Sequence, residues 1–175
     1  MPEQVKKVQT PITIGRNTKV ELVGHAVNVP AKVDTGADSS SAWASNIFVD
    51  SNHILHYTLF DKESQFYTGK EITTKDYRAA VITNSTGHQQ IRYRVRLSMR
   101  LGGKRIRVMA TLADRSRNAF PVLIGRRTLH GKFIVDVSIH GYLYQNKVQV
   151  NELNKELKKD PHAFHKKYHG KSNAE

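Results

Sequence analysis

One short segment of the chain could carry acid–base chemistry, the sequence Val-Asp-Thr-Gly-Ala-Asp at residues 33–38. A run with many apolar residues, 26–33, leads into it, and three serines follow at 39–41. This pattern predicts a strand that delivers the carboxylate of Asp34 onto a tight turn, where Gly36 permits a close approach. A positioned aspartate can act as a general base, and two aspartates can share a proton around one water. On these residues alone, an ordinary Asx turn between two strands explains the segment equally well.

A second segment, much later in the chain, favours the chemical interpretation. The sequence Pro-Val-Leu-Ile-Gly-Arg at residues 121–126 takes an apolar strand directly into a Gly-Arg turn. Residues 126–130 predict one helical turn that ends at Gly131. Between the two segments, residues 77–93 form two β-rich arms around a polar tip at 84–88, which predicts a hairpin.

Together the two segments resemble the retropepsin-like aspartic proteases. Chains of that family carry a strand ending in Asp-Thr-Gly-Ala-Asp, then a flap hairpin, then an apolar strand ending in Gly-Arg before a short helix. The closest resemblance is to a bacterial branch catalogued as ATP-dependent zinc proteases, and it covers about residues 10–144. Further matching pieces lie at 31–37, 101–103, 111–115 and 131–136. The resemblance implies an all-β, retropepsin-like (acid protease) fold, a closed β-barrel with a flap hairpin and one short helix.

The resemblance also implies roles for individual residues. The catalytic loop would consist of Asp34, Thr35 and Gly36, and a homodimer would complete the site with one Asp34 from each subunit. The residues implied in substrate binding are Ala37 and Asp38 after the loop and Ser85, Thr86 and Gly87 at the flap tip. Arg126 is implied to anchor Asp38 and the dimer through a charge-assisted pair.

No metal ligand and no cofactor are expected. The chain contains neither His-Glu-x-x-His nor Gly-x-x-x-x-Gly-Lys-Ser/Thr, so no motif supports the zinc and ATP of the branch name. The absence of cysteine excludes disulfides, thiolate catalysis and cysteine-based zinc sites. No apolar run is long enough to span a membrane, and the N-terminal residues lack the apolar run of a signal peptide. A cytoplasmic location is therefore the expectation, with no membrane partner.

The charge of the chain is its unusual global feature. The formal net charge is +13 in 175 residues, which favours polyanions or acidic peptides as partners. Solubility alone explains the same charge equally well. The clearest alternation in the chain predicts a long hairpin, 91–101 and 104–112, joined by a Gly-Gly turn. One of its faces is apolar, and the opposite face carries six arginines: Arg92, Arg94, Arg96, Arg100, Arg105 and Arg107. A solvated face is the first interpretation, and an anion-attracting face is the second.

Shorter patterns complete the predicted barrel. Strands are predicted at 12–14, ending at Gly15, at 19–23, and at 142–144. Another is predicted at 53–60, followed by a polar loop or frayed hairpin at 61–74. The two histidines of that strand, His53 and His56, fall on opposite faces and make a poor metal pair. Trp43, the single tryptophan, is expected in the core.

The sequence predicts two domains, a protease domain at 1–146 and a basic, partly helical tail at 147–175. A helix is predicted at 150–159, and the Asp-Pro pair at 160–161 stops it and permits another. Three histidines then fall near one helical face: His162, His165 and His169. A solvated basic tail explains them better than a zinc site does.

The predicted function is that of an aspartic endopeptidase, a hydrolase acting on peptide or protein substrates. Acidic or glutamate-rich substrates are the expected class, because members of this branch are linked with glutamate-adding ATP-grasp ligases. The alternative is a non-enzymatic basic β-barrel module that binds an acidic protein or nucleic acid, although no nucleic-acid motif supports the latter. A third interpretation is a protease that acts chiefly on its own tail.

Overall fold

The structure is a computed structural model that describes residues 10–84, 86–140 and 147–170. The chain divides into two compact units, Met1–Tyr142 and Leu143–Glu175. Ser85 and the strand predicted at 142–144 lie outside the described residues. In the part of the chain that is described, no helix combines the length and apolar character needed to cross a bilayer.

The first unit contains ten strands and one short helix. The strands, in chain order, are β1 (Ile12–Leu22), β2 (Ala26–Asp34), β3 (Ser40–Val49), β4 (Leu55–Leu59), β5 (Glu71–Thr74), β6 (Tyr77–Thr83), β7 (Gln89–Leu101), β8 (Lys104–Ala113), β9 (Val122–Gly125) and β10 (Phe133–His140). The helix of this unit is α1 (Arg126–Leu129), and the second unit contains α2 (Lys147–Lys159) and α3 (Pro161–His169). The mostly β architecture with a few short helices confirms the predicted fold class.

Hydrogen-bonded strands follow the order β10-β1-β2-β9-β3-β8-β7-β6. A further pairing between β1 and β7 closes the six strands from β1 to β7 in this order into a barrel. The strands β4 and β5 extend β3 to one side, and β6 extends β7. Because β2 and β9 are parallel neighbours, Asp34 and Gly125 are direct partners at the ends of their strands. The sheet order therefore places the two candidate segments side by side.

The β7–β8 hairpin supplies much of the core, as its alternation predicts. The inward side chains are buried: Val95, Leu97, Met99, Leu101, Ile106, Val108, Ala110 and Leu112. Gly102 and Gly103 have φ angles of 55° and 78°, so both central turn residues need the left-handed region that glycine occupies easily. Trp43 is 9% exposed, and its ring packs edge-on against Phe60 at a centroid distance of 6.1 Å. Its predicted place in the core is confirmed.

Two local predictions are wrong, and each has a physical reason. Gly15 does not end a strand, since β1 continues through it with an irregularity in its register to β10. A β-carbon at Gly15 would lie 2.4 Å from the carbonyl oxygen of Ile139, so glycine here permits close packing within the sheet. In addition, β4 begins at Leu55, because His53 adopts a φ of 61° in the preceding turn. A short strand, β5, occupies part of the predicted loop and pairs with β4.

The β6–β7 hairpin extends beyond the barrel. Residues 89–95 of β7 pair with β6, whereas pairing with β8 begins only at Arg94. The first residues of β7 therefore have a strand neighbour on one side only. As a result Ile91 is 77% exposed, although the alternation predicts it on the apolar face.

The second unit contains two helices joined at Asp160. The Asp160 carboxylate accepts a hydrogen bond from the backbone N–H of Ala163 at 2.9 Å, and Pro161 occupies the first turn of α3. This confirms the predicted break between helices. Glu156 of α2 accepts hydrogen bonds from Lys167 at 2.6 Å and Tyr168 at 2.9 Å, which join the two helices. The Lys167 ammonium beside Glu156 lowers the pKa of that carboxyl.

A histidine joins the outer strands β4 and β5 to the turn before β4. His56 Nε2 lies 3.2 Å from Asp50 Oδ2, and its Nδ1 lies at ion-pair distance, 3.3 Å, from Glu71 Oε1. The imidazole also stacks on the ring of Phe48 at 4.6 Å. The hydrogen bond with Asp50, and then the nearby Glu71 carboxylate, raise the pKa of His56 above its ordinary 6.5. Both carboxylates thus stabilise the protonated, positively charged form of His56 relative to the neutral form.

This arrangement makes the stability contribution of His56 depend on pH. Because the folded-state pKa is raised, the contribution is fully present below about pH 6.5 and is lost as the pH rises through the folded-state value. We expect the His56→Gln variant to lose more thermal stability relative to wild type at about pH 5.5 than at about pH 8.5. Melting followed by circular dichroism measures this. His53→Gln is the control, since His53 forms no ion pair within the described residues. An equal loss at both pH values would contradict the assignment.

Candidate functional site

The end of β2 holds the carboxylate of Asp34 in a fixed orientation. Asp34 Oδ1 accepts hydrogen bonds from the backbone N–H groups of Gly36 at 3.1 Å and Ala37 at 3.2 Å. The second oxygen, Oδ2, lies 3.8 Å from the ammonium of Lys32, and the side chain remains 30% exposed. A carboxylate that is held on one oxygen and remains partly exposed can accept a proton from a bound water.

Glycine at two positions permits the close approach of the surrounding backbone. A β-carbon at Gly36 would lie 3.3 Å from Asp34 Oδ1, at the edge of tolerable contact. At Gly125 it would lie 2.5 Å from the carbonyl carbon of Ser39 and 2.6 Å from its oxygen. Neither glycine has a positive φ. Gly125 is therefore required for space rather than for backbone conformation, whereas a methyl group at Gly36 would make one tight contact.

Hydrogen bonds join the Asp34 loop to the segment that follows β9. Ser40 Oγ accepts from the buried N–H of Gly125 at 3.0 Å and lies 2.7 Å from the hydroxyl of Thr128. The N–H of Arg126 donates to the carbonyl oxygen of Ala37 at 2.8 Å. These hydrogen bonds therefore connect the Asp34 loop to the end of β9 and to α1 within a single chain. Ser40 and Thr128 lie outside the site residues predicted from the sequence.

Asp38 is held by two arginines at the start of α1. Arg126 Nη2 lies 3.3 Å from Asp38 Oδ1, and Arg127 Nε lies 2.8 Å from Asp38 Oδ2. The hydrogen bond from Arg127, with the charges of both guanidinium groups, lowers the pKa of Asp38 below its ordinary value. The structure thus brings together Asp38 and Arg126 as expected. It adds Arg127, which the Arg-Arg pair in the sequence could have indicated.

Neighbouring residues of the Asp34 loop line two different cavities. Thr35 is exposed and lines a cavity of about 640 Å³ with residues of α1 and with Phe133 and Val135 of β10. Residues 36–39 line a second cavity of about 450 Å³. The loop therefore presents one side to each cavity.

The second cavity lies between the Asp34 loop and both arms of the β6–β7 hairpin. Residues 81–83 of β6 contribute to its wall, as do three arginines: Arg92, Arg94 and Arg115. At the tip, Asn84 Oδ1 accepts hydrogen bonds from the backbone N–H groups of Thr86 at 3.1 Å and His88 at 2.9 Å. Thr86 and Gly87 are exposed and do not line this cavity, whereas Ala37 and Asp38 do. Ser85, the remaining predicted tip residue, lies outside the described residues.

The chain provides one such aspartate loop, and acid–base hydrolysis of a peptide bond needs a base and an acid. Within the described residues, no group of three or more histidine, aspartate or glutamate side chains is arranged to hold a metal ion. The described site therefore contains one oriented carboxylate of this kind, that of Asp34.

Comparisons with known proteins agree with this fold. A solved structure from Legionella pneumophila, of a protein with unknown function, matches with a TM-score of 0.54 at 24% identity, covering 74% of this chain and 96% of that one. That likeness concerns the fold alone.

A curated relative from Desulfotalea psychrophila, named a probable alpha-L-glutamate ligase, is 25% identical over 118 residues. The match covers 63% of this chain, and the chain spans about a quarter of that relative, 25% of its length. The family of the retropepsin-like aspartic endopeptidase RimB matches residues 13–143. With the Asp34 loop, the barrel and this match along most of its length, the chain belongs to the RimB-like family of retropepsin-like aspartic endopeptidases.

Proposed function

We propose that this chain is an aspartic endopeptidase whose active form is a homodimer. The observation that supports the proposal most is the Asp34 carboxylate, which two backbone N–H groups fix on one oxygen while the side chain remains 30% exposed. One loop of this kind per chain provides one carboxylate. A two-fold symmetric dimer provides two, close to a shared axis.

In the proposed reaction, the ionised aspartate of the pair removes a proton from a bound water. The water oxygen attacks the scissile carbonyl carbon, while the protonated aspartate donates its proton to the carbonyl oxygen. The resulting tetrahedral diol collapses when a proton reaches the amide nitrogen, and the C–N bond breaks to give a carboxylic acid and an amine. The two aspartates titrate as one unit throughout.

Features of β10 support an interface beside the catalytic loop. Val135 lines the cavity that Thr35 also lines, and Val137, two residues further along β10, is 70% exposed. Within the described residues, β10 pairs with β1 alone, so its other edge has no strand neighbour there. A second copy of the chain could cover this apolar surface.

The variant Val137→Lys tests this interface. We expect it to shift the chain towards monomer and to lower the specific activity about 10-fold or more, because a buried ammonium at the interface would lack a partner. Ile134→Lys is the matched control, since Ile134 lies on the face of β10 opposite to Val135 and is 55% exposed. Light scattering and peptide cleavage measure both effects. Dissociation by Ile134→Lys and not by Val137→Lys would exclude the proposed face.

We further propose acidic or glutamate-rich peptides as the substrate class. The net charge of +13 favours the approach of such peptides. The relative named a probable alpha-L-glutamate ligase contains a segment similar to this chain. The name of that relative refers to glutamate, the amino acid of the proposed substrate class.

Peptide cleavage as a function of protein concentration tests the proposed function as a whole. Wild-type protein would be incubated with a mixture of acidic and neutral peptides between about pH 4 and 8, and products identified by mass spectrometry. We expect cleavage whose specific activity rises with the dimer fraction. A monomer without cleavage at any pH would reject the proposal and leave the non-enzymatic binding module as the better interpretation.

A further inference from the structure

Three guanidinium groups converge on the cavity beside the Asp34 loop. Arg92 and Arg94 belong to β7, and Arg115 belongs to the loop between β8 and β9. They share the wall of this cavity, about 450 Å³ in volume, with residues 36–39 and 81–83. A side chain that entered the cavity would therefore belong to a residue bound close to Asp34.

Each of the three arginines has a neutral hydrogen-bond acceptor. Arg92 Nε donates to the side-chain oxygen of Gln90 at 2.9 Å, and Arg94 Nη2 donates to the hydroxyl of Ser39 at 3.0 Å. Arg115 Nε donates to a backbone carbonyl oxygen at 3.0 Å. Among the described residues, none of the three forms an ion pair with a carboxylate. The cavity therefore contains three arginines without a carboxylate partner in the described part of the chain, while Asp38, the acidic residue of its wall, pairs with Arg126 and Arg127 instead.

Two features of these arginines are energetically unfavourable. Arg94 Nε is buried and has no hydrogen-bond partner, which is unfavourable for a charged donor. Burial lowers the pKa of Arg92, and burial together with the charge of Arg92 lowers the pKa of Arg115. A guanidinium nevertheless keeps its proton near neutral pH, so the groups repel one another. An anion bound in the cavity would give Arg94 Nε a hydrogen-bond acceptor and would reduce the repulsion between the guanidinium groups.

Other arginines of the β7–β8 hairpin are arranged differently. Arg96 lies 3.5 Å from Asp76, and Arg100 lies 2.9 Å from Glu21. Arg105 and Arg107 are exposed and line no described cavity near the loop. The arginine-bearing face predicted from the sequence therefore consists of a cavity-lining part and a solvated part.

We propose that Arg92, Arg94 and Arg115 form a subsite that binds the carboxylate of an acidic substrate side chain beside the scissile peptide bond. This rests on the proposed endopeptidase function and assigns its preference for acidic substrates to three residues instead of the overall charge. The planar fork of a guanidinium matches the two oxygens of a carboxylate, which gives directional hydrogen bonds as well as charge attraction.

The test compares two peptides that differ only by glutamate or glutamine at one position near the cleavage site. We expect wild type to prefer the glutamate peptide and Arg92→Gln to lower kcat/KM for that peptide about 10- to 100-fold, with little change for the glutamine peptide. Arg115→Gln is expected to behave alike. Arg107→Gln is the matched control, because it removes the same charge from the same hairpin outside the cavity. All measurements use one salt concentration, since salt screens exposed charges.

The outcomes separate the subsite from the endopeptidase function. If wild type cleaves both peptides equally, or if Arg107→Gln loses as much as Arg92→Gln, the subsite is overturned and the protease function stands. If wild type cleaves neither peptide, fluorescence anisotropy with labelled copies of the same two peptides decides. Binding selective for glutamate that Arg92→Gln loses and Arg107→Gln keeps would support the subsite without the protease function. Equal binding of the two peptides would overturn the subsite as well.

Discussion

The variant Asp34→Asn is expected to reduce peptide cleavage by about 10³-fold or more while leaving the fold intact. An asparagine keeps the side-chain oxygen that accepts hydrogen bonds from Gly36 and Ala37, so the loop can retain its shape. It cannot accept a proton from water at neutral pH. Initial rates on a cleaved peptide and a thermal melt of the same sample measure the two effects. Asp61→Asn, in a surface loop, is the control and should leave the rate unchanged.

Mixing wild-type chains with Asp34→Asn chains tests whether the two chains of the proposed dimer share one site. Adding an excess of Asp34→Asn chains to wild type would form mixed dimers in which the shared site contains one Asp34 and one asparagine. The activity should then fall below that of the same wild-type protein alone. A constant activity under these conditions, with subunit exchange verified by mass, would mean that one chain carries a complete site. Retained cleavage by Asp34→Asn itself would exclude the two-aspartate mechanism.

The variant Gly125→Ala is expected to destabilise the fold by about 2–4 kcal/mol. Its methyl group would lie within 2.6 Å of the Ser39 backbone, and a backbone group cannot turn aside as a flexible side chain can. Relief of the clash would separate β9 from the Asp34 loop and disturb the N–H that donates to Ser40. Chemical denaturation measures the loss.

Gly36→Ala is the matched comparison for Gly125→Ala. Its methyl group would meet only Asp34 Oδ1, at 3.3 Å, so we expect a small loss of stability, below about 1 kcal/mol. The activity should fall more than the stability does, because the affected atom belongs to the Asp34 carboxylate. Equal destabilisation by the two variants would contradict the argument from space at Gly125.

Patterns that repeat along the chain made much of the fold predictable. The alternation of 91–112 around Gly102 and Gly103 predicts β7, β8 and their turn, because a barrel strand buries every second side chain. The Asp-Pro pair at 160–161 predicts the boundary between α2 and α3 for local reasons alone.

Features that depend on pairing between distant residues were not predictable. The strand β5 contains one half-buried apolar residue, Ile72, and forms because β4 offers it an edge. The alternation of β7 places Arg92 and Arg100 on the same face of that strand. Arg92 lines a cavity only because β6 is long enough to pair with this part of β7. The contact between Ser40 and Thr128 joins residues far apart in the chain and has no local signature.

The bonds that join Ser40, Gly125 and Thr128 have a consequence for assembly. They order the Asp34 loop during folding of one chain, so the conformational entropy of that loop is lost before any substrate or second chain arrives. In the proposed homodimer, association would then have to fix only the relative position of preorganised surfaces, which would leave more of the contact energy available as affinity. The proportion of the active form would accordingly follow the concentration of the chain, and synthesis or dilution of the protein would regulate it without any further ligand.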